Sequence, residues 1–491
     1  MPGTRVKRRE LALLLLLTAG ALFVHGYHPG AEDAEIYTPN IVKLLHPSYY
    51  PFGREFFEAN AHLTLYPRLI AGLVRFSRTP PSWVLFSGYL ASVFLLLLAC
   101  RRLAARCFST RAGQWSAVTL VACLLTLPVA GTSLYIFDQY LNPRSISAFA
   151  VVFAVDAVMA NKLWRTFLWL LVTALVHPFM TFFAVILIVL WLLGNRKWRT
   201  LPAIGATCAL FMTGWSFKAP SAIYWKCLES HRYYFLLRWT WYEWLGILGP
   251  LAILWCCKKI AERRGNLTLA RLAWTVFLFE LLCFVAGLIV TIPRELEILA
   301  PYQPMRSLQL VFLLMFVIGG GLLGEYVLKG HALRWLVLFL PIAAGLCIAQ
   351  IKLFPVTRHV EWPGANPINA WLQAFGWIRG NTPVDAIFAL DPNYLALPDE
   401  NNQGFRATAE RSRLADAKKD WSDAVLYPWL PLADDVFAQT QAAAGWKSFT
   451  PADFARLKKI YGVNWVVLQQ PGVSGMDCPY QNATVKVCRV D

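Results

Sequence analysis

Three carboxylates, Glu32, Asp33 and Glu35, fall within four positions of the stretch HPGAEDAEIYTP (residues 28–39). A carboxylate held against a hydroxyl can take its proton, and several together can hold a cation. A fourth acid, Asp138, stands in YIFDQYLNPRS with Arg144 close behind it, and Arg294 and Arg306 lie in PRELEILAPYQPMRS. A guanidinium presents a planar fork of donors that matches a phosphate or a carboxylate. Together these groups supply a base and an anion clamp, provided one face of the molecule gathers them. Taken singly, the acids are solvated loop charges and the arginines are headgroup contacts at helix ends.

The chain that must position them has 491 residues, of which 57% are hydrophobic and 15% charged, with a mean hydropathy of +0.46. That composition points to a mostly α, polytopic helical membrane protein. Eleven apolar runs read as spans, at about residues 10–27, 82–100, 114–131, 146–161, 165–177, 179–194, 200–216, 244–257, 270–292, 307–328 and 335–354. Pro178 should divide the fifth from the sixth as a hairpin or kink. The first run follows RVKRRE and has the outline of a signal peptide, but it lacks a small-residue cleavage site and reads as a retained span.

Lys and Arg outnumber Asp and Glu by 33 to 15 before Pro355 and stand at 13 to 14 after it, so the net charge of +17 resides in the membrane half. The excess clusters in short loops such as RRLAARCFSTR, NKLWR, NRKWR, KKIAERRGN and KGHALR. Loop orientation explains this better than a nucleic-acid partner, and it places the N-terminus in the cytoplasm. An odd number of spans then puts residues 28–81, 132–145, 217–243 and 293–306 on the outer face, together with the C-terminus. Residues 1–355 read as the membrane domain, with the long outer loop 28–81 carrying interfacial helices. Residues 356–491 read as an extracytoplasmic soluble α/β domain with DAIFAL, NWVVL and ATVKVCRV as strands and a Thr-Pro helix start at TPADF. Cys478 and Cys488 flank PYQNATVKV, where a disulfide can close a hairpin outside the cytoplasm. No His/Cys grouping has zinc spacing.

A short tail, one span, a long outer loop opening with an acidic pair, many further spans and a C-terminal outer domain together resemble the GT-C class of membrane glycosyltransferases. That class takes sugars from polyprenyl-phosphate or polyprenyl-diphosphate donors. The resemblance implies that the acidic pair of the first loop falls on Glu32 and Asp33, with Asp33 at the catalytic position, and that the second-loop acid falls on Asp138. The choice among Glu32, Asp33 and Glu35 stays open, because this chain reads Glu-Asp where several members read Asp-Glu or Asp-x-Asp.

The implied reaction is transfer of a sugar from a polyprenyl-phosphate-type donor to an acceptor hydroxyl of a glycan, lipid or protein on the outer face of the inner membrane. Asp33 would be the general base. Arg144 and Arg306, with Arg294 nearby, are the guanidiniums that charge and placement offer to the lipid phosphate. Glu35 and His177 of VHPF are further candidates for lining the cleft, and His177 reads equally as a hydrogen-bonded helix end. Asp138 would orient a sugar hydroxyl, an arginine or a divalent cation, and no cofactor is otherwise implied. The alternatives are a noncatalytic GT-C-like envelope protein that binds lipid-linked glycans, and a transporter. Asp156 and Glu280 keep the transporter reading open, because an ionised group within a span needs a partner or a water-filled cavity.

Overall fold

The computed structural model describes residues 8–194, 221–397, 399–428 and 430–490. The expected span 200–216 and the basic loop NRKWR lie outside them, as does the start of RVKRRE. Nine of the eleven expected spans fall largely on helices, and the expected span 114–131 is helical only as far as Cys123. By length and composition, five helical segments among the described residues can cross a membrane: Pro81–Cys107, Trp241–Arg263, Leu267–Thr291, Arg294–Leu328 and Ala332–Leu353. The protein is thus a helical membrane protein, and the count of about eleven spans is not reached by this measure. Helices Leu163–Val176 and Pro178–Leu193 are shorter. Pro178 separates them by occupying the first turn of the second, where a missing N–H costs nothing.

The chain divides into two compact units. The first comprises, among the described residues, 8–26, 87–194 and 232–350. Local chemistry fixes its helix starts. Asn142 caps Pro143–Met159 in a capping box with Ser145, Thr240 and Glu243 form another ahead of Trp241–Arg263, and Asn266 caps Leu267–Thr291. Pro143–Met159 is buried along nearly its whole length, whereas Leu336, Val337, Leu340 and Ile348 of Ala332–Leu353 are exposed. Apolar side chains left outward on a span are the surface expected to meet lipid. Gly324 lets two backbones approach closely, since a Cβ there would come within 2.4 Å of the Ala112 carbonyl oxygen.

The second unit comprises residues 27–86, 221–231 and 351–490. Its five-stranded sheet contains β1 (Ile387–Ala389), β2 (Ser412–Arg413), β3 (Trp465–Gln469), β4 (Tyr480–Gln481) and β5 (Val485–Arg489), in the order β2-β1-β3-β5-β4. The pairs β1–β2 and β1–β3 are parallel, and β3–β5 and β4–β5 antiparallel. One face packs on helix Ala370–Asn381 through Trp371, Phe375, Ile378, Phe388 and Val487. The other face covers helix Pro451–Tyr461, which starts at a Thr450–Asp453 capping box and stops at Gly462 in the left-handed region. Cys478 and Cys488 are joined as a disulfide.

Residues of the first long loop cluster with this sheet domain. The amide of Tyr27 donates to the His359 carbonyl, that of Gly404 to the Gly30 carbonyl and that of Glu32 to the Asn402 carbonyl. Helices Ala34–Leu45 and Phe405–Ala409 pack on each other behind these contacts.

Candidate active site

The acidic stretch folds as a tight turn that leads into helix Ala34–Leu45. Glu32 takes a φ of 54°, a left-handed conformation that costs a non-glycine residue roughly 1–2 kcal/mol. That turn aims the two leading acids at one cation. Lys419 Nζ donates to Glu32 Oε2 at 2.7 Å and to Asp33 Oδ1 at 2.9 Å. The lysine is largely buried, while the Asp33 side chain retains 24% of its exposure and Glu32 retains 38%.

Burial works against the charge on Glu32, but Lys419 and then Lys418 outweigh it and hold its carboxyl below the usual carboxylate range. Burial likewise opposes the Lys419 ammonium, yet Asp33 and Glu32 raise it above an ordinary lysine. Two carboxylates thus share one ammonium.

Four further residues belong to these surroundings. Burial, followed by repulsion from Asp33 and Asp420, pushes the Asp423 carboxyl well above its ordinary value. Asn60 Nδ2 donates to Asp423 Oδ2 at 2.5 Å, and the Tyr427 hydroxyl donates to Asn60 Oδ1 at 2.8 Å. His231 is 9% exposed. Burial lowers it towards the neutral imidazole, and Lys419 adds to the effect. The site thus sets two carboxylates, a carboxyl raised by burial and an imidazole lowered by burial around one ammonium.

Glu35, on the first turn of the helix, is buried instead. Its Oε1 accepts from Arg413 Nε at 3.0 Å and Nη2 at 2.8 Å, and its Oε2 accepts from the Ala407 amide at 3.1 Å. Burial outweighs these contacts and raises its carboxyl above the usual range. Arg413 also donates to Asp420 at 3.0 Å and to Asp416, and Arg406 makes a two-pronged pair with Asp420 at 2.7 and 3.2 Å. Gly404 leaves room for Glu35, since a Cβ there would lie 2.4 Å from Oε2. The sequence shows the acids but not this partnership, because Glu35 and Arg413 are separated by 378 residues.

Asp138 and Arg144 belong to the first unit. Asp138 Oδ2 accepts from Arg144 Nε at 3.0 Å and from Asn142 Nδ2 at 2.6 Å. Asp138 and Arg144 are 7% and 5% exposed. Asn142 therefore has two duties, capping its helix through Oδ1 and fixing the aspartate through Nδ2. Arg306 Nε donates to Gln303 Oε1 at 2.9 Å, and Arg294 is exposed. His177 closes one helix and opens the next, accepting from the Met180 amide at 3.4 Å, as a helix-end histidine does. Among the described residues, no three or more His, Cys, Asp or Glu side chains are grouped to hold a metal ion.

Sequence reasoning passed over Lys419, Asp423, Asn60 and His231. Lys418 and Lys419 sit in DAKKDWSDA, which matches no motif; Lys419 opens helix Lys419–Ala424, and only the fold brings it to residue 33.

No family model and no curated protein matches the chain. Among solved structures, its fold is similar to that of the arabinofuranosyltransferase AftD from Mycobacteria, with a TM-score of 0.50 and 13% identity. The similarity covers 99% of this chain and 40% of AftD, so the chain spans about two fifths of that protein's length. The fold is accordingly similar to that of AftD.

Proposed function

We propose that this protein is a membrane glycosyltransferase that moves a sugar from a polyprenyl-phosphate-type donor to an acceptor hydroxyl on the extracytoplasmic face, with Asp33 as general base. The observation that carries the reading is the pairing of the partly exposed Asp33 carboxylate with the Lys419 ammonium at 2.9 Å, within a fold similar to that of AftD. The ammonium fixes the direction of the carboxylate. An acceptor hydroxyl delivered to Asp33 can then lose its proton as the new glycosidic bond forms.

Glu32 shares the lysine and tunes the charge on Asp33. Glu35 acts as a positioning residue by anchoring the helix that follows the turn to Arg413. In the membrane unit, Arg144 and Arg306 are assigned to the departing lipid phosphate, and Asp138 orients Arg144. His177 is assigned to packing and Arg294 to the interface. The sheet domain selects or positions the acceptor.

Wild-type protein reconstituted with polyprenyl-phosphate sugars and a set of hydroxyl acceptors should form glycosidic product. Tight donor binding without turnover would instead establish the noncatalytic reading.

A further inference from the structure

Asp156 lies near the end of the apolar helix Pro143–Met159 and is 2% exposed. An ionised group at that place needs partners, and it has two: Arg102 Nη2 at 3.0 Å, and Arg106. These arginines stand one turn apart on helix Pro81–Cys107, and they are not consumed by the pairing. Their side chains retain 49% and 33% exposure. Asp156 therefore pins two guanidiniums in place while leaving part of each open.

Both line a cavity of about 510 Å³ that is open to the outside. Lys162 and Arg165 contribute two more cations to its wall, and neither makes an ion pair among the described residues. Four cations against one carboxylate give the cavity a strongly positive rim. The rest of its lining is apolar: Leu95, Leu98, Leu168 and Val172 form the walls. Phe153 and Trp169 stack at 4.7 Å as a flat floor, with Arg102 lying 5.8 Å from the Phe153 ring centre. A soluble anion would satisfy the rim and leave the walls wet; an acyl or isoprenoid chain would cover them.

We infer that this cavity is a binding site for a membrane lipid with a phosphate headgroup, the phosphate held by Arg102, Arg106, Lys162 and Arg165 and the chain laid along Leu95, Leu98, Leu168 and Trp169. The occupant is an anionic phospholipid of the surrounding bilayer, since two unpaired cations sit at the end of the helices where headgroups gather. The site is independent of the proposed transferase reaction, and it gives Asp156 a task other than carrying a transported ion.

The test uses delipidated full-length protein in a neutral detergent. Native mass spectrometry follows retention of phosphatidylglycerol, phosphatidylcholine and polyprenyl phosphate, and thermal unfolding follows protection by each lipid and by inorganic phosphate. Phosphatidylglycerol should be retained in preference to phosphatidylcholine. The double variant Lys162→Gln/Arg165→Gln, which leaves the Asp156 pairs intact, should bind it roughly 30-fold more weakly. Displacement by polyprenyl phosphate would show that the site reads the phosphate whatever the tail. Equal protection by inorganic phosphate, or unchanged retention in the double variant, would overturn the inference. Should that variant fail to fold, a photoactivatable phosphatidylglycerol on wild-type protein decides: labelling should fall on residues 95–106 and 160–172, and labelling elsewhere refutes the site.

Discussion

The Lys419 ammonium lies 2.9 Å from the Asp33 carboxylate across a sequence separation of 386 residues. The acid and its cation come from the two ends of the chain, so the candidate base has its geometry only when the first long loop and the sheet domain fold as one unit.

Removing that cation should be visible in the pH dependence of stability. Glu32 is held below its ordinary value, so its contribution is present above the unfolded carboxylate value of about 4.3 and is lost as pH falls through the folded one. Lys419→Gln should be less stable than wild type at pH 7 and should close the gap below about pH 4. A difference that persists undiminished at low pH would show that Lys419 acts by packing.

Asp423 has the opposite sign. Its carboxyl is raised well above the ordinary value, so the folded state keeps a proton that the unfolded chain releases above about pH 3.9, and stability falls as pH rises beyond that point. Asp423→Asn keeps an oxygen for Asn60 and removes this penalty. The variant should unfold at a higher temperature than wild type at pH 7 and at nearly the same temperature near pH 4; equal melting at both would contradict the assignment.

Glu35 belongs to a buried network in which it, Asp416 and Asp420 accept from Arg413 and Arg406, and its loss takes an acceptor from Arg413 and from the Ala407 amide. Glu35→Ala should cost about 3–5 kcal/mol, measured by denaturant-dependent protease resistance of the sheet domain in the intact protein. Glu35→Gln keeps an acceptor for the Ala407 amide and should cost less. Equal losses would assign the effect to the lost charge rather than to the lost volume and acceptor.

Much of this fold was legible in the sequence because its signals are local. The apolar runs, the Pro178 break between two helices, the Thr450–Asp453 cap with its Gly462 stop, and the strands around Ile387, Val466 and Val487 all follow from short-range chemistry. The position of the site acids in the first loop was equally plain. Their surroundings were not, because Glu35–Arg413, Asp33–Lys419 and Asn60–Asp423 pair residues more than 350 positions apart. Periodicity carries no information about such contacts. Asp156 stands between these cases: its burial demanded a partner, and helix spacing alone did not say that Arg102 and Arg106 would both answer.

The central claim, that Asp33 removes the acceptor proton, is tested most directly by the rate of sugar transfer from a polyprenyl-phosphate donor in Asp33→Asn and Glu32→Gln proteins of matched stability. Loss of the general base should slow Asp33→Asn by about 10²–10⁴-fold at saturating substrate, while Glu32→Gln retains most of its turnover. An Asp33→Asn protein that transfers sugar at the wild-type rate would contradict the account.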